Sequence, residues 1–226
     1  DVRRIYGNGY SVTIGTDVET TFSFMKRSIF AGVAYDAEEK EITANPVISV
    51  ESGKFVLYGS GSGGTTLKGN VEIRVKGTAE AEVAGAYMNS TVDGKVTVTV
   101  EDQASLSEFL GEQNKGSAKE LELILMGSPK LDGRTFRGTV NGTPKGTLNL
   151  RQASLSPEQA EKFKDFAEIL KADSPAAEEN LLTKPAVEVE TEAMEKEKAA
   201  EEAVAIEKMI AESVSNFSDP EESDFL

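Results

Sequence analysis

Between Tyr10 and Arg151 the chain is divided into short runs of apolar and β-branched residues that recur every 10 to 20 residues and are punctuated by Gly or Asn. Runs of that length with one apolar and one polar side suit strands, because successive side chains of a strand point to opposite faces. "VEIRVK" (71 to 76) shows the pattern: Val71, Ile73 and Val75 share one face, and Glu72, Arg74 and Lys76 the other. In "MNSTVDGKVTVTV" (88 to 100), Asp93-Gly94 offers the positive φ of a two-residue turn and Val96, Val98 and Val100 alternate with polar residues, which predicts a hairpin. Further strands are expected over 10–14, 20–24, 42–50, 54–58, 121–126, 134–140 and 147–151, with "SLSEFLGEQ" (105 to 113) as one short helix between strands. Short, regularly punctuated strands predict antiparallel pairing. The expected fold is therefore α+β and mainly antiparallel β, a barrel or sandwich (OB-like or a novel β fold) with C-terminal helices.

After residue 152 the period changes. In "SLSPEQAEKFKDFAEILKA" (154 to 172), Ser156 is placed as N-cap, Pro157 at the first helical position and Gln159 as the partner of a capping box. Ala160, Phe163, Ala167 and Leu170 follow at helical spacing, which predicts a helix packed on the sheet. "ADSPAAEENLLTKP" (172 to 185) reads as a linker, and a second helix is expected from about Glu190 to Ser215 with Ala203, Ile206, Ile210, Val214 and Phe217 as a narrow apolar stripe. Charge marks the same boundary: residues 1–152 hold 17 Lys/Arg against 19 Asp/Glu, whereas 153–226 hold 7 against 20, so most of the net charge of −15 lies in the C-terminal region. The organisation expected is a β-rich, nucleic-acid-binding body (1–152), a helix on the body (153–172), a linker and acidic amphipathic helix (173–218), and an acidic tail (219–226).

The chain holds neither His nor Cys. That removes Ser-His-Asp and Cys-His pairs, disulfides, and imidazole or thiolate metal sites. The acidic cluster Asp36, Glu38, Glu39 and Glu41 lacks the spacing of an EF-hand loop, and "GSGSGGTTLKGN" (59 to 70) lacks the Gly-Lys-Ser/Thr ending of a phosphate loop. No enzyme, cofactor or metal is expected. A carboxylate enzyme acting on a small molecule is a third reading, which no paired acids in a recognisable context support. No apolar run reaches the ~18 residues of a membrane span, no secretory signal is visible, and a chain without cysteine suits a reducing compartment, so a cytoplasmic protein is expected.

Four stretches contain no Asp or Glu: 2–16, 20–35, 52–71 and 133–157. They hold nine of the 11 aromatics of residues 1–152. A cation beside an aromatic ring is what a single nucleic-acid strand requires, since phosphate pairs with charge and an unstacked base with a ring, worth about 1 to 3 kcal/mol per base. On this reading Arg3, Arg4, Lys26, Arg27, Lys54, Arg134, Arg137, Lys145 and Arg151 contact phosphates, and Tyr6, Tyr10, Tyr58 and Phe136 are stacking platforms. Phe22, Phe24, Phe30 and Phe55 are expected in the core.

The last residues, "DPEESDFL", combine the acids Asp219, Glu221, Glu222 and Asp224 with the apolar tip Phe225-Leu226. A β-rich body followed by such a tail resembles the bacterial and phage single-stranded-DNA-binding proteins. In overall character the chain resembles the divergent phage members, including the cofactors that recruit a phage-encoded RNA polymerase. The tail ends Phe-Leu where bacterial members end Pro-Phe, and a charged helix stands in place of their Gly-, Pro- and Gln-rich linker. The resemblance implies a DNA-binding body and a tail in which Asp224, Phe225 and Leu226 recruit replication or transcription proteins. The host cytoplasm would be its location. The alternative is a phage structural or assembly protein that oligomerises through its C-terminal helix. That alternative buries the aromatics of the acid-free stretches and shows no positive strip.

Overall fold

The computed structural model describes residues 2–16, 27–133 and 136–172. The chain divides into two compact units, Asp1–Ser174 and Pro175–Leu226, and the described residues belong to the first. In chain order its early strands are β1 (Arg4–Tyr6), β2 (Val12–Ile14), β3 (Arg27–Phe30), β4 (Glu41–Thr43), β5 (Val47–Val50), β6 (Lys54–Tyr58), β7 (Thr66–Lys68) and β8 (Val71–Val75). Longer strands follow: β9 (Glu80–Tyr87), β10 (Thr91–Val100), β11 (Ser105–Gln113) and β12 (Ser117–Gly127). The rest are β13 (Lys130–Leu131), β14 (Phe136–Arg137), β15 (Thr139–Val140), β16 (Thr143–Pro144), β17 (Gly146–Ala153), β18 (Phe163–Lys164) and β19 (Phe166–Leu170), with one helical turn, α1 (Pro157–Ala160), before β18.

Two sheets contain nearly all of them. The first runs β1-β3-β6-β9-β11-β14-β18, with β13 also on β11. The second runs β2-β5-β8-β10-β12-β17-β19, with β4 and β7 beside the start of β10. The chain alternates between the sheets, and every neighbour pair in both is parallel. Only the small β15–β16 pair is antiparallel. This is a parallel β-solenoid of about six turns, with coils stacked about 4.8 Å apart.

Register turns the sequence into ladders. Ile48, Ile73, Val98, Leu123 and Leu148 are successive partners in the second sheet, and each is at most 1% exposed. Facing them in the first sheet are Ile29, Leu57, Val83, Phe109, Phe136 and Phe163, all buried. The core is thus the inside of the coil, closed by like side chains from the coil above and below.

The corners depend on close backbone approach. From the first sheet to the second, the chain turns on consecutive left-handed residues: Asn8-Gly9, Gly63-Gly64, Met88-Asn89, Asn114-Lys115 and Asn141-Gly142. Two residues with φ above zero make the tight turn that Asn and Gly tolerate best. Beside these turns Gly59, Gly85 and Gly111 stack on one another. A Cβ on Gly85 would lie 2.6 Å from the Gly111 carbonyl oxygen, and one on Gly59 would lie 2.4 Å from that of Gly85.

Four expectations are corrected here. The antiparallel barrel or sandwich is replaced by the parallel solenoid. Asp93-Gly94 does not reverse the chain. It forms a bulge within β10, where the register shifts between Val92 and Lys95, and Gly94 is required because a Cβ would fall 2.1 Å from the Gly69 carbonyl oxygen. "SLSEFLGEQ" is the strand β11, because its neighbours β9 and β14 offer a ladder on both sides. The C-terminal helix over 154–172 shrinks to α1. Its cap is as read, since Ser156 accepts from the Gln159 N–H and the Gln159 side chain accepts from the Ser156 N–H. One turn later, Phe163 pairs with Phe136 and Phe166 stacks on Phe109 with ring centroids 5.9 Å apart, so packing on the solenoid overrides the helical period. The helix expected near 190–215 lies outside the described residues.

Candidate functional site

The residues expected to bind a single strand are distributed over several coils. Arg3 and Arg27 meet at the first coil, where with Val2, Ile5, Ile14, Ser28, Ile29 and Phe55 they line a cavity of about 240 Å³. Arg4, exposed, is beside them in register with Ser28. Lys54 is exposed and forms an ion pair with Glu80 of the next coil. Arg137 is exposed between Leu110 and Lys164. Lys145, exposed, reaches the Ala118 carbonyl at 3.4 Å, and Arg151 is half-buried on β17. Arg3 and Arg27 therefore stand at one end of the solenoid, and Lys145 and Arg151 on coils near the other. Lys26, Arg134, Asp224, Phe225 and Leu226 lie outside the described residues.

Of the four aromatic platforms, Phe136 and Tyr58 are buried, Tyr6 is half-buried and Tyr10 is exposed. Phe136 is 0% exposed in the core ladder, between its buried partners Phe109 and Phe163, and its ring centroid is 5.0 Å from that of Phe163. Tyr58 is 8% exposed. It belongs to a second row, Tyr6, Phe30 and Tyr58, one residue on from the core ladder and so on the opposite face of the first sheet. Centroid distances in this row are 4.6 Å for Tyr6 to Phe30 and 4.5 Å for Phe30 to Tyr58, and Tyr87 closes on Tyr58 at 4.4 Å. Burial, reinforced by Tyr87, Glu82 and Glu108 and opposed by Arg4, pushes the Tyr58 hydroxyl up to about 12. Tyr6 is half-buried, its hydroxyl 3.3 Å from that of Ser62. Tyr10, by contrast, is 78% exposed. Phe30 and Phe55 are buried as expected, while Phe22 and Phe24 lie outside the described residues.

Four ion pairs on the outer surface join one coil to the next. Lys54 pairs with Glu80, Lys68 with Glu41, Lys95 with Glu122 at 2.5 Å and Lys76 with Glu101 at 3.7 Å. Each pair joins neighbouring coils. The hydrogen bond from Lys68 to Glu41 holds the lysine above its ordinary range, and the Ser128 N–H donated to Asp102 holds that carboxyl below its own. Hydroxyls of the Gly-rich stretch are occupied structurally: Ser60 Oγ donates to the Gly61 carbonyl and accepts from the Tyr87 N–H, and Thr65 bonds Ser90 at 3.2 Å. Among the described residues no group of three or more Asp or Glu side chains converges to hold a metal ion, and no helix is long and apolar enough to cross a membrane.

Sequence reasoning missed the outer aromatic row and the exposed corner formed by Tyr35, Gly63-Gly64 and Met88. The signal that locates both is the coil period. Gly59, Gly85 and Gly111 recur at intervals of 26 residues, and Ile48, Ile73, Val98, Leu123 and Leu148 at intervals of 25, so rows across coils can be written down from the numbering alone.

Comparison with known proteins finds no match, whether among family models, curated proteins or solved structures. Fold and site together define a parallel β-solenoid with lysine–glutamate pairs between neighbouring coils.

Proposed function

We propose that the protein is a non-enzymatic structural or assembly module, with the solenoid as its rigid body. The observation that carries this reading is the coil-to-coil pairing of outer charge together with the burial of Phe30, Phe55, Tyr58 and Phe136. A nucleic-acid groove needs cations turned toward phosphate and rings turned toward bases. Here Lys54, Lys68, Lys76 and Lys95 face carboxylates, and those rings fill packed rows. Stacked coils of this kind derive their stability from nearest-neighbour interfaces, which suits a spacer or scaffold.

Single-strand binding is the second reading. What favours it is the first coil, where Arg3, Arg4 and Tyr10 are all exposed. Recruitment of replication or transcription proteins by residues 219–226 belongs with that reading. Fluorescence anisotropy with labelled single-stranded and duplex oligonucleotides of equal length, at two salt concentrations, separates the two. The structural reading expects no binding at low salt. A tight, salt-sensitive preference for the single strand would replace it with the DNA-binding one.

A further inference from the structure

The chain has no cysteine and no tryptophan, so it forms no disulfide, and the side chains it offers most readily to a one-electron oxidant are its five tyrosines. Two of them meet. Tyr58 at the end of β6 and Tyr87 at the end of β9 stand on neighbouring coils, with ring centroids 4.4 Å apart and ring planes at 37°. Tyr6 is held off from Tyr58 by the ring of Phe30, which stacks on the two at 4.6 and 4.5 Å. Tyr10 and Tyr35 are 78% and 60% exposed, and neither stacks on a ring among the described residues. Tyr58 and Tyr87 are therefore the one pair of tyrosines in ring contact among the described residues.

The fold fixes this pair. β6 and β9 are in parallel register from Lys54 to Tyr58, and the Tyr87 N–H donates to Ser60 Oγ at 2.9 Å. Two groups held together in this way react as one molecule, without the entropy of a collision. After burial, the Tyr87 phenol is the largest cause holding the Tyr58 hydroxyl above its ordinary range, which places the two hydroxyl ends, and the ring carbons ortho to them, close together. Tyr58 is 8% exposed and Tyr87 half-buried, so an oxidant meets Tyr87 first. Ring contact then lets Tyr58 pass an electron to the oxidised Tyr87, and a second oxidation of Tyr87 leaves two phenoxyl radicals side by side. Glu82 and Glu108, whose charge is felt at the Tyr58 hydroxyl, are the carboxylates that take its proton. A bond forms between the ortho carbons, and the hydrogen on each of them moves to its ring's oxygen. Each ring has given up one electron and one proton. One hydrogen peroxide accepts both electrons and both protons and leaves as two waters.

We propose that Tyr58 and Tyr87 are an oxidative modification site, joined as dityrosine between neighbouring coils when a haem peroxidase oxidises the protein with hydrogen peroxide. The site is independent of the functional readings above, since it depends on the ring pair alone and either can fail without the other. The test is treatment of the full chain with a haem peroxidase and hydrogen peroxide, at a dilution that suppresses collisions between chains, followed by intact mass, dityrosine emission and tryptic mapping. A monomer lighter by two hydrogens is expected, with a link between the peptides 55–68 and 77–95, which carry Tyr58 and Tyr87. Tyr58→Phe and Tyr87→Phe keep the rings that pack and remove the phenols that couple, and each should lower the yield of linked monomer at least tenfold. Tyr10→Phe and Tyr35→Phe should leave that yield unchanged. Monomer that stays unlinked, linkage that maps to Tyr6, Tyr10 or Tyr35 instead, or a linked monomer that persists in Tyr58→Phe would overturn the proposal.

Discussion

The carboxamide oxygen of Asn45 accepts the backbone N–H of Asn70 at 2.7 Å, and the carboxamide of Asn70 does the same for Lys95 one coil further on, at 2.9 Å. The ladder lies where β4 gives way to β5 and β7 to β8, and where β10 bulges. At this bend the chain changes direction and the sheet ladder is interrupted. Side chains supply the bonds that the sheet omits. Asn70→Ala leaves the Lys95 N–H without this acceptor and should cost about 0.5–1.5 kcal/mol, whereas Asn70→Asp, which keeps an acceptor oxygen, should cost less. Chemical denaturation of the two variants side by side checks the order.

The stacked glycines permit a sharper test. Gly85→Ala places a methyl group 2.6 Å from the Gly111 carbonyl oxygen and 2.9 Å from the Leu121 side chain, and backbone cannot yield as a side-chain tip can. A loss of about 1–3 kcal/mol is expected, read as a lower midpoint in thermal unfolding. Gly142→Asn, at a left-handed turn with nothing within 4 Å of an added Cβ, should be close to neutral.

Phe136 separates core from surface roles. It is fully buried between Phe109 and Phe163 in its ladder, so Phe136→Ala should destabilise the solenoid by about 3–5 kcal/mol. Tyr10→Ala, at a side chain 78% exposed, should change stability by less than about 0.5 kcal/mol. Equal effects of the two on unfolding would contradict the burial described.

Tyr58 gives a pH signature. Its hydroxyl is raised from 10.0 to about 12 in the folded protein, so the neutral form is favoured by folding. The stabilisation is complete below pH 10 and declines as pH rises from 10 toward 12, where the unfolded chain loses the proton first. Titration of tyrosinate absorbance should show a late phase near pH 12, and Tyr58→Phe should remove it.

Much of the strand content was legible in the residues. Alternation in "VEIRVK" places Val71, Ile73 and Val75 inward, as observed, and the run from Lys54 to Tyr58 is β6. Direction of pairing was not legible. Asp93-Gly94 has the composition of a hairpin turn, yet the same two residues suit a bulge where one backbone passes close to another. Phe163 and Phe166 fit an amphipathic helix by spacing and equally fit two short strands once Phe136 and Phe109 are there to receive them. At the candidate site, cations and rings were visible by type, but their burial was not, because a ring one position along a strand changes from core to outer face.

The sequence by itself determined that this chain is built of strands, where several of them run, and that Ser156 and Gln159 cap a helical turn. All of these follow from local alternation, φ preference and side-chain hydrogen bonding. Only the tertiary structure decided that the strands stack in parallel, that Tyr58 and Phe136 are enclosed, and that Tyr58 and Tyr87 meet ring to ring. Those facts depend on which residues lie one coil apart, about 25 positions along the chain, and alternation within a strand records which face is buried without recording what lies against it.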